Sequence, residues 1–377
     1  MRTPAAIHAL DDAAAPAATT RRALDWLMLA TVVLCCFGLI MAVSISGARE
    51  GAGALAVMKT QGAKLAVGLV LFVGVAMVPM QLLWRTVPLL FWVAVAGVWW
   101  AAILGTPVGG ARRWIHVAGT QFQPVELARL LAVVYVARSI ARTGDRIREL
   151  RAGTLRIMLP VVVLAAGLLK QPDNGNAVFV LALCSCMAIV AGVPFRHFAL
   201  VAIPGLAGLV FVVAQKAYAV DRLVGFLHPE RGGQVWQSLV AIASGGLTGV
   251  GLGNGWMKMG YVPEVHNDFV FAAIGEELGL IGSLLVLSLY ATIGIAGMRL
   301  VLGCRDRFLR SVVLGLVVAI CMQATINLLV VTGLAPAKGI DLPFLSSGGT
   351  GLVTYLAAVG LVGNAARADA RGNFWRR

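Results

Sequence analysis

Runs of about 20 apolar residues follow one another along the chain, broken by short polar loops. A hydrocarbon layer of about 30 Å is crossed by about 20 helical residues rising 1.5 Å each, so each run is long enough to span a bilayer. The first extends from about Trp26 to Ile45, and others centre near Val70, Val95, Val133, Leu164, Ala182, Leu209, Leu285, Val318 and Ala357, which predicts about ten transmembrane helices. The runs lack the alternation of barrel strands, and a helix pairs its backbone groups within its own segment. The pattern therefore predicts an all-α polytopic membrane bundle.

The loops set the orientation. Numbered alternately, one set holds Arg21, Arg22, Arg85, Arg142, Arg146, Arg148, Arg196, Arg305 and Arg367, among other arginines, and the positive-inside rule makes that set cytoplasmic. Both termini then lie inside, and the one long connection, about 217–267, lies outside as a periplasmic loop. That loop carries Trp236, Leu239, Val240, Ile242, Trp256 and many glycines, a composition that predicts short amphipathic pieces on the outer membrane face. Residues 1–22, rich in Ala, Pro and Asp, lack signal-peptide features and read as a disordered cytoplasmic tail; 23–366 form the transmembrane body and 367–377 a basic cytoplasmic tail.

Composition agrees: 59% of residues are hydrophobic and 13% charged, against the roughly 25% charged of soluble domains. The formal charge of +14 invites a nucleic-acid reading, but the arginines sit in loops between spans, where they set topology. No nucleic-acid partner is expected. The six cysteines fall in predicted spans or cytoplasmic loops, so no structural disulfide and no cysteine metal site is expected.

Unusual polar residues collect on the predicted outer side: Gly110-Ala111-Arg112-Arg113-Trp114-Ile115, Gln123-Pro124-Val125-Glu126, Gln171-Pro172-Asp173-Asn174-Gly175, the stretch 263–269, Glu276-Glu277, and Leu342 through Gly349. Ionisable groups at membrane depth are costly, so their convergence marks a candidate site. Asp268 stands where the long loop meets a span, placed to act as a general base or, equally, to cap a helix with Asn267. Arg112 and Arg113 suit either a diphosphate, which a guanidinium grips with two prongs, or lipid headgroups. Lys258 and Lys338 are cations of the same kind, and His266 is a hydrogen-bonding residue beside Asp268. Glu126 and Arg129, three apart, read as an ion pair inside the bundle that shapes the cavity. Asp173 after Pro172 reads as a turn and cap. Gly249, Gly251, Gly253 and Gly255 lack the strand and the Gly-Lys-Ser/Thr of a nucleotide loop and read as flexible or close-packed backbone. No metal-ligand cluster is present in the spacing.

The blocks GARRWI, QPVELAR, QPDNG, SGGLTGVGLGN, PEVHNDFVFAAIGEELGLIG and LPFLSSGG, in that order over about Asp25 to Ala366, resemble the SEDS family of peptidoglycan glycosyltransferases, its FtsW branch more than its RodA branch. The resemblance implies polymerisation of lipid II into septal glycan strands on the outer face of the bacterial inner membrane. It implies Asp268 as the catalytic residue, with Arg112, Arg113, Glu126, Arg129, Lys258, His266, Lys338 and Ser346 toward the substrate. It also implies a class B penicillin-binding protein and other division proteins as partners. A Mg2+ or Mn2+ ion held mainly by the substrate diphosphate is compatible with it. This sequence departs from the family pattern at Val125, Arg129, Asn267, Ser347 and Gly351, and none of these alters Asp268. The competing readings are a lipid II flippase gated by Glu276 and Glu277, and a scaffold without activity.

Overall fold

The computed structural model describes residues 4–49, 54–108, 111–117, 120–199, 233–256, 267–336 and 339–372. Its long helices are α1 (Pro4–Arg49), α2 (Ala54–Met77), α3 (Met80–Leu104), α4 (Pro124–Thr143), α5 (Arg156–Lys170) and α6 (Asn174–Val190). They are followed by the short α7 (Gln234–Gly245), then α8 (Val270–Gly303), α9 (Arg307–Val331) and α10 (Gly349–Ala370). Among the described residues, seven helical segments are long and apolar enough to cross a membrane: Thr19–Ile45, Ala54–Met77, Met80–Leu104, Leu150–Lys170, Val270–Gly303, Arg307–Val331 and Gly349–Ala370. The chain is thus a multi-pass membrane protein. The run expected near Leu209 lies outside the described residues.

The helix α4 is too polar to join those seven, for a structural reason. It packs against α3, α5, α6, α9 and α10, and most of its side chains, including Glu126 and Arg129, are buried. A helix enclosed by other helices need not be apolar all round, because its surroundings are protein rather than lipid. The helix α2 is the opposite case, lying on the outside against α10 with few buried residues.

The helix α1 begins at Pro4, in a stretch rich in alanine, the strongest helix former. One expectation changes: the chain is not purely helical. β1 (Thr106–Val108), β2 (Ala111–Val117) and β3 (Thr120–Phe122) form a small antiparallel sheet between α3 and α4, with Thr106 opposite Trp114 and Ile115 opposite Phe122. β-branched and aromatic residues there favour extended backbone, and pairing satisfies groups that a bare loop at the membrane surface would leave open.

Successive spans reverse direction, so their ends form two polar layers. One layer holds the sheet, the Lys170–Asn174 turn, the start of α8 and the α9–α10 loop. The other is rich in arginine and is tied across the bundle: Asp369 accepts from the amides of Arg305 and Asp306, and Asn364 donates to the carbonyls of Val75 and Val78.

The helix α8 is broken. At Gly279 the backbone turns left-handed (φ 64°, ψ −158°), which removes the two helical bonds that Leu280 and Ile281 would make to Glu276 and Glu277. The glycine-rich segment after α7 replaces them. Val250 and Gly251 donate to the carbonyls of Glu276 and Glu277, both at 3.0 Å, while Leu280 and Ile281 donate to those of Gly246 and Leu247 at 2.9 and 3.2 Å. The side chains join in. Trp256 N donates to Glu276, and Ser44 Oγ of α1 and Gly253 N donate to Glu277, which is 1% exposed. The glycines therefore serve a close approach of backbones: a Cβ on Gly249 would stand 2.2 Å from the Glu277 carbonyl oxygen.

That geometry separates two glycines of the same loop. Gly246 (φ +54°) has open space around its missing side chain, so Gly246→Ala should cost only the left-handed strain, about 1–2 kcal/mol. Gly249→Ala should cost more, since the backbone of Glu277 must move. Thermal unfolding of the purified protein should show a clearly larger fall in Tm for Gly249→Ala; equal shifts would contradict the insertion of the loop into α8.

Candidate functional site

Asp268 sits half-buried just before α8, whose N-cap position falls on Phe269 rather than on Asp268 or Asn267. Its backbone is held from a neighbouring helix. Asn327 of α9, 1% exposed, donates through its side-chain amide to the carbonyl of Asp268 at 2.7 Å and to that of Ile340 at 2.6 Å. One amide thus ties the start of α8 to the α9–α10 loop. Ser346 adds a second tie: its hydroxyl donates to the carbonyl of Asn267 and accepts from Leu342 N at 2.7 Å. Through these two bonds Ser346 ties the loop to the start of α8. The Asp268 carboxylate lies against Gly339, where a Cβ would come within 2.9 Å of Oδ2.

The same loop is fastened from below. Gln323 lies one turn before Asn327 on α9 and donates to the carbonyl of Asp341 at 3.0 Å, and Tyr290 of α8 donates to that of Pro343 at 2.5 Å. Lys64 of α2 donates to the carbonyl of Ser347 at 2.9 Å. The carboxylate of Asp341 presses on Gly348, the N-cap position of α10, where the partial positive charge of a helix start favours an anion.

Gln323 also links this loop to a buried ion pair. Arg129, 7% exposed, pairs with Glu126 on the same helix and donates to Gln323 Oε1 at 2.6 Å and Asn176 Oδ1 at 3.3 Å. Its guanidinium carbon lies 5.1 Å from the centre of the Phe179 ring. Planar and multiply donating, the guanidinium joins α4, α6 and α9 at one point. Removing Glu126 would leave a buried charge without its nearest counter-ion, which is costly anywhere and more so in a membrane.

Arg112 and Arg113 occupy β2 and diverge. Arg113 donates to the carbonyl of Pro172 at 2.7 Å and lies 3.8 Å from the Asp173 carboxylate, which also caps α6 through Asn176 N. Arg112 is exposed and donates to the Ile103 carbonyl at 2.9 Å. Among the described residues, neither has a hydrogen bond or ion pair to the α9–α10 loop. Lys258, His266 and Lys338 lie outside the described residues. Among the described residues no group of three or more His, Cys, Asp or Glu is arranged to hold a metal ion.

The polar residues that fix this site, Gln323, Asn327, Tyr290 and Lys64, were not candidates from sequence. Gln323 and Asn327 carry a usable signal, two amides one turn apart in a mostly apolar span. Their targets are backbone carbonyls in distant loops, which no local pattern reveals.

Residues 25–371 match a family model described as cell cycle protein, covering FtsW, RodA and SpoVE. A probable peptidoglycan glycosyltransferase FtsW of Trichlorobacter lovleyi is 37% identical over 358 residues, 90% of this chain and 91% of that one. The stage V sporulation protein E of Bacillus subtilis is 36% identical over 269 residues, 70% of this chain and 74% of that one. Among solved structures, a chain of a peptidoglycan synthase complex superposes with a TM-score of 0.75 at 27% identity, covering 91% of this chain and 97% of that one. The rod shape determining protein RodA of Thermus thermophilus superposes with a TM-score of 0.67 at 25% identity, covering 91% and 96%. A family match across nearly all of the chain, relatives this similar over most of their length and a shared helical fold lead to one assignment: the chain belongs to the FtsW, RodA and SpoVE family of cell cycle proteins.

Proposed function

We propose that this protein is a peptidoglycan glycosyltransferase that polymerises lipid II on the outer face of the bacterial inner membrane, with Asp268 as the general base. The observation that carries the reading is the double anchoring of the Asn267-Asp268 backbone by Asn327 and Ser346. It supports the reading by holding the backbone that carries the carboxylate, in a family with relatives named as peptidoglycan glycosyltransferases. In the reaction the carboxylate takes the proton of a sugar hydroxyl as that oxygen bonds to the anomeric carbon of a second lipid-linked sugar. The bond from that carbon to the diphosphate breaks, and the lipid diphosphate leaves with the electron pair. A single displacement of this kind inverts the anomeric centre. Charge on the leaving diphosphate is offset by cations, for which exposed Arg112 is the better placed of the two sheet arginines and to which Lys258, Lys338 and a substrate-borne Mg2+ or Mn2+ would add. His266 would orient substrate beside Asp268.

The topology in this reading has about ten spans, both termini cytoplasmic and the loop of 217–267 periplasmic, with the arginine-rich layer inside. Septal cell division is the process in this reading, in keeping with the family's description as cell cycle proteins. The flippase alternative asks Glu276 and Glu277 to move as gates, whereas both are buried and bonded into the glycine-rich segment and α1. A class B penicillin-binding protein is the partner, by likeness to a chain of a synthase complex that coordinates polymerization and crosslinking.

Asp268→Asn keeps size and backbone contacts and removes the base, so the purified variant should insert normally and polymerise labelled lipid II about 10²–10⁴-fold more slowly. Near wild-type glycan synthesis would reject the assignment. The partner should raise the polymerisation rate by ordering the outer loop, without supplying chemical groups. Equal rates with and without it at saturating lipid II would reject that activation.

A further inference from the structure

At the arginine-rich layer, three arginines stand together without counter-ions among the described residues. Arg138 and Arg142 lie one turn apart near the end of α4, and Arg156 begins α5. Arg138 stacks its guanidinium over the Trp84 ring of α3, 5.2 Å from the centroid, and its buried Nε has no hydrogen-bond partner. Arg142 on the same helix and Arg156 at the start of α5, which packs against α4, are both exposed and both of the same sign as Arg138. The nearby carboxylates are already engaged: Asp145 with Arg307 and Glu149 with Arg146, each at 3.1 Å, and Asp369 with backbone amides. Among the described residues, none of the three arginines forms an ion pair or a side-chain hydrogen bond.

Like charges gathered this way repel unless an anion joins them. Their position at the ends of spans selects the anion's source. An aromatic floor at the headgroup level is typical of membrane interfaces, and one turn beyond Arg156 the side chain of Leu159, 61% exposed, continues the same face of α5 toward the hydrocarbon. A phosphate anchored here would have its acyl chains on an apolar helix surface. We infer that Arg138, Arg142 and Arg156, over Trp84, bind the headgroup phosphate of an anionic phospholipid in the leaflet at the arginine-rich end. The guanidiniums grip the phosphate oxygens, and the free Nε of Arg138 gains a partner. The site lies at the opposite membrane edge from Asp268 and does not depend on the reaction proposed there.

Native mass spectrometry of the purified chain tests this with an equimolar mixture of phosphatidylglycerol and phosphatidylcholine of identical acyl chains. The wild type should retain phosphatidylglycerol preferentially. Arg142→Gln with Arg156→Gln changes only exposed residues and should lower that preference by about five-fold per arginine removed. A control pair of equal charge, Arg148→Gln with Arg151→Gln, also exposed, should keep the preference. An unchanged preference in the first pair, an equal loss in the control pair, or displacement of the lipid by equimolar glycerol phosphate would each overturn the site.

Discussion

A peptide group that loses its helical partner inside a membrane has no water to replace it, so every break in a span must be matched by polar groups from elsewhere in the protein. This chain makes such breaks on purpose. At Gly279 the helix α8 gives up two hydrogen bonds, and the segment 246–251 supplies two donors and two acceptors in their place. The loop between α9 and α10 is irregular backbone as well, and its carbonyls are met by the buried amides of Gln323 and Asn327 and by Tyr290 and Lys64. Satisfying the backbone and positioning the site are here the same act.

The consequence is an Asp268 backbone with little freedom. Its carbonyl and that of Asn267 are gripped by α9 and by the α9–α10 loop. That loop is in turn tied through Gln323 to Arg129, and through Arg129 to Glu126 and Asn176. Most of these joints are short and all are at least partly buried, so a displacement at one is resisted at the others. Preorganisation of this kind is what a reaction limited by orientation requires.

Much of the bundle is legible in the sequence because span length and loop charge are local signals. The Glu126–Arg129 pair is legible for the same reason, since three-residue spacing puts two side chains on one helix face. What escapes is long-range. The break at Gly279 hides inside a continuous apolar run, where Gly-Glu-Glu-Leu-Gly reads as ordinary helix until its partner loop is known. The glycines of that loop are recognisable as close-packed backbone but not as the strand-like filler of a broken span. The sheet between α3 and α4 escapes because three short segments with loop-like composition form it only by pairing. The ties of Arg113 to Pro172 and Asp173 escape for the same reason, since both partners lie about sixty residues away.

The central claim is that Asp268 works because its backbone is held from α9. Steady-state polymerisation of lipid II by Asn327→Leu tests it, because that variant keeps the buried volume and removes the two donations to Asp268 and Ile340. The account predicts that kcat falls by about 10²-fold, as for a misplaced reactive group, while KM stays nearly constant. A rise in KM with kcat unchanged would contradict it.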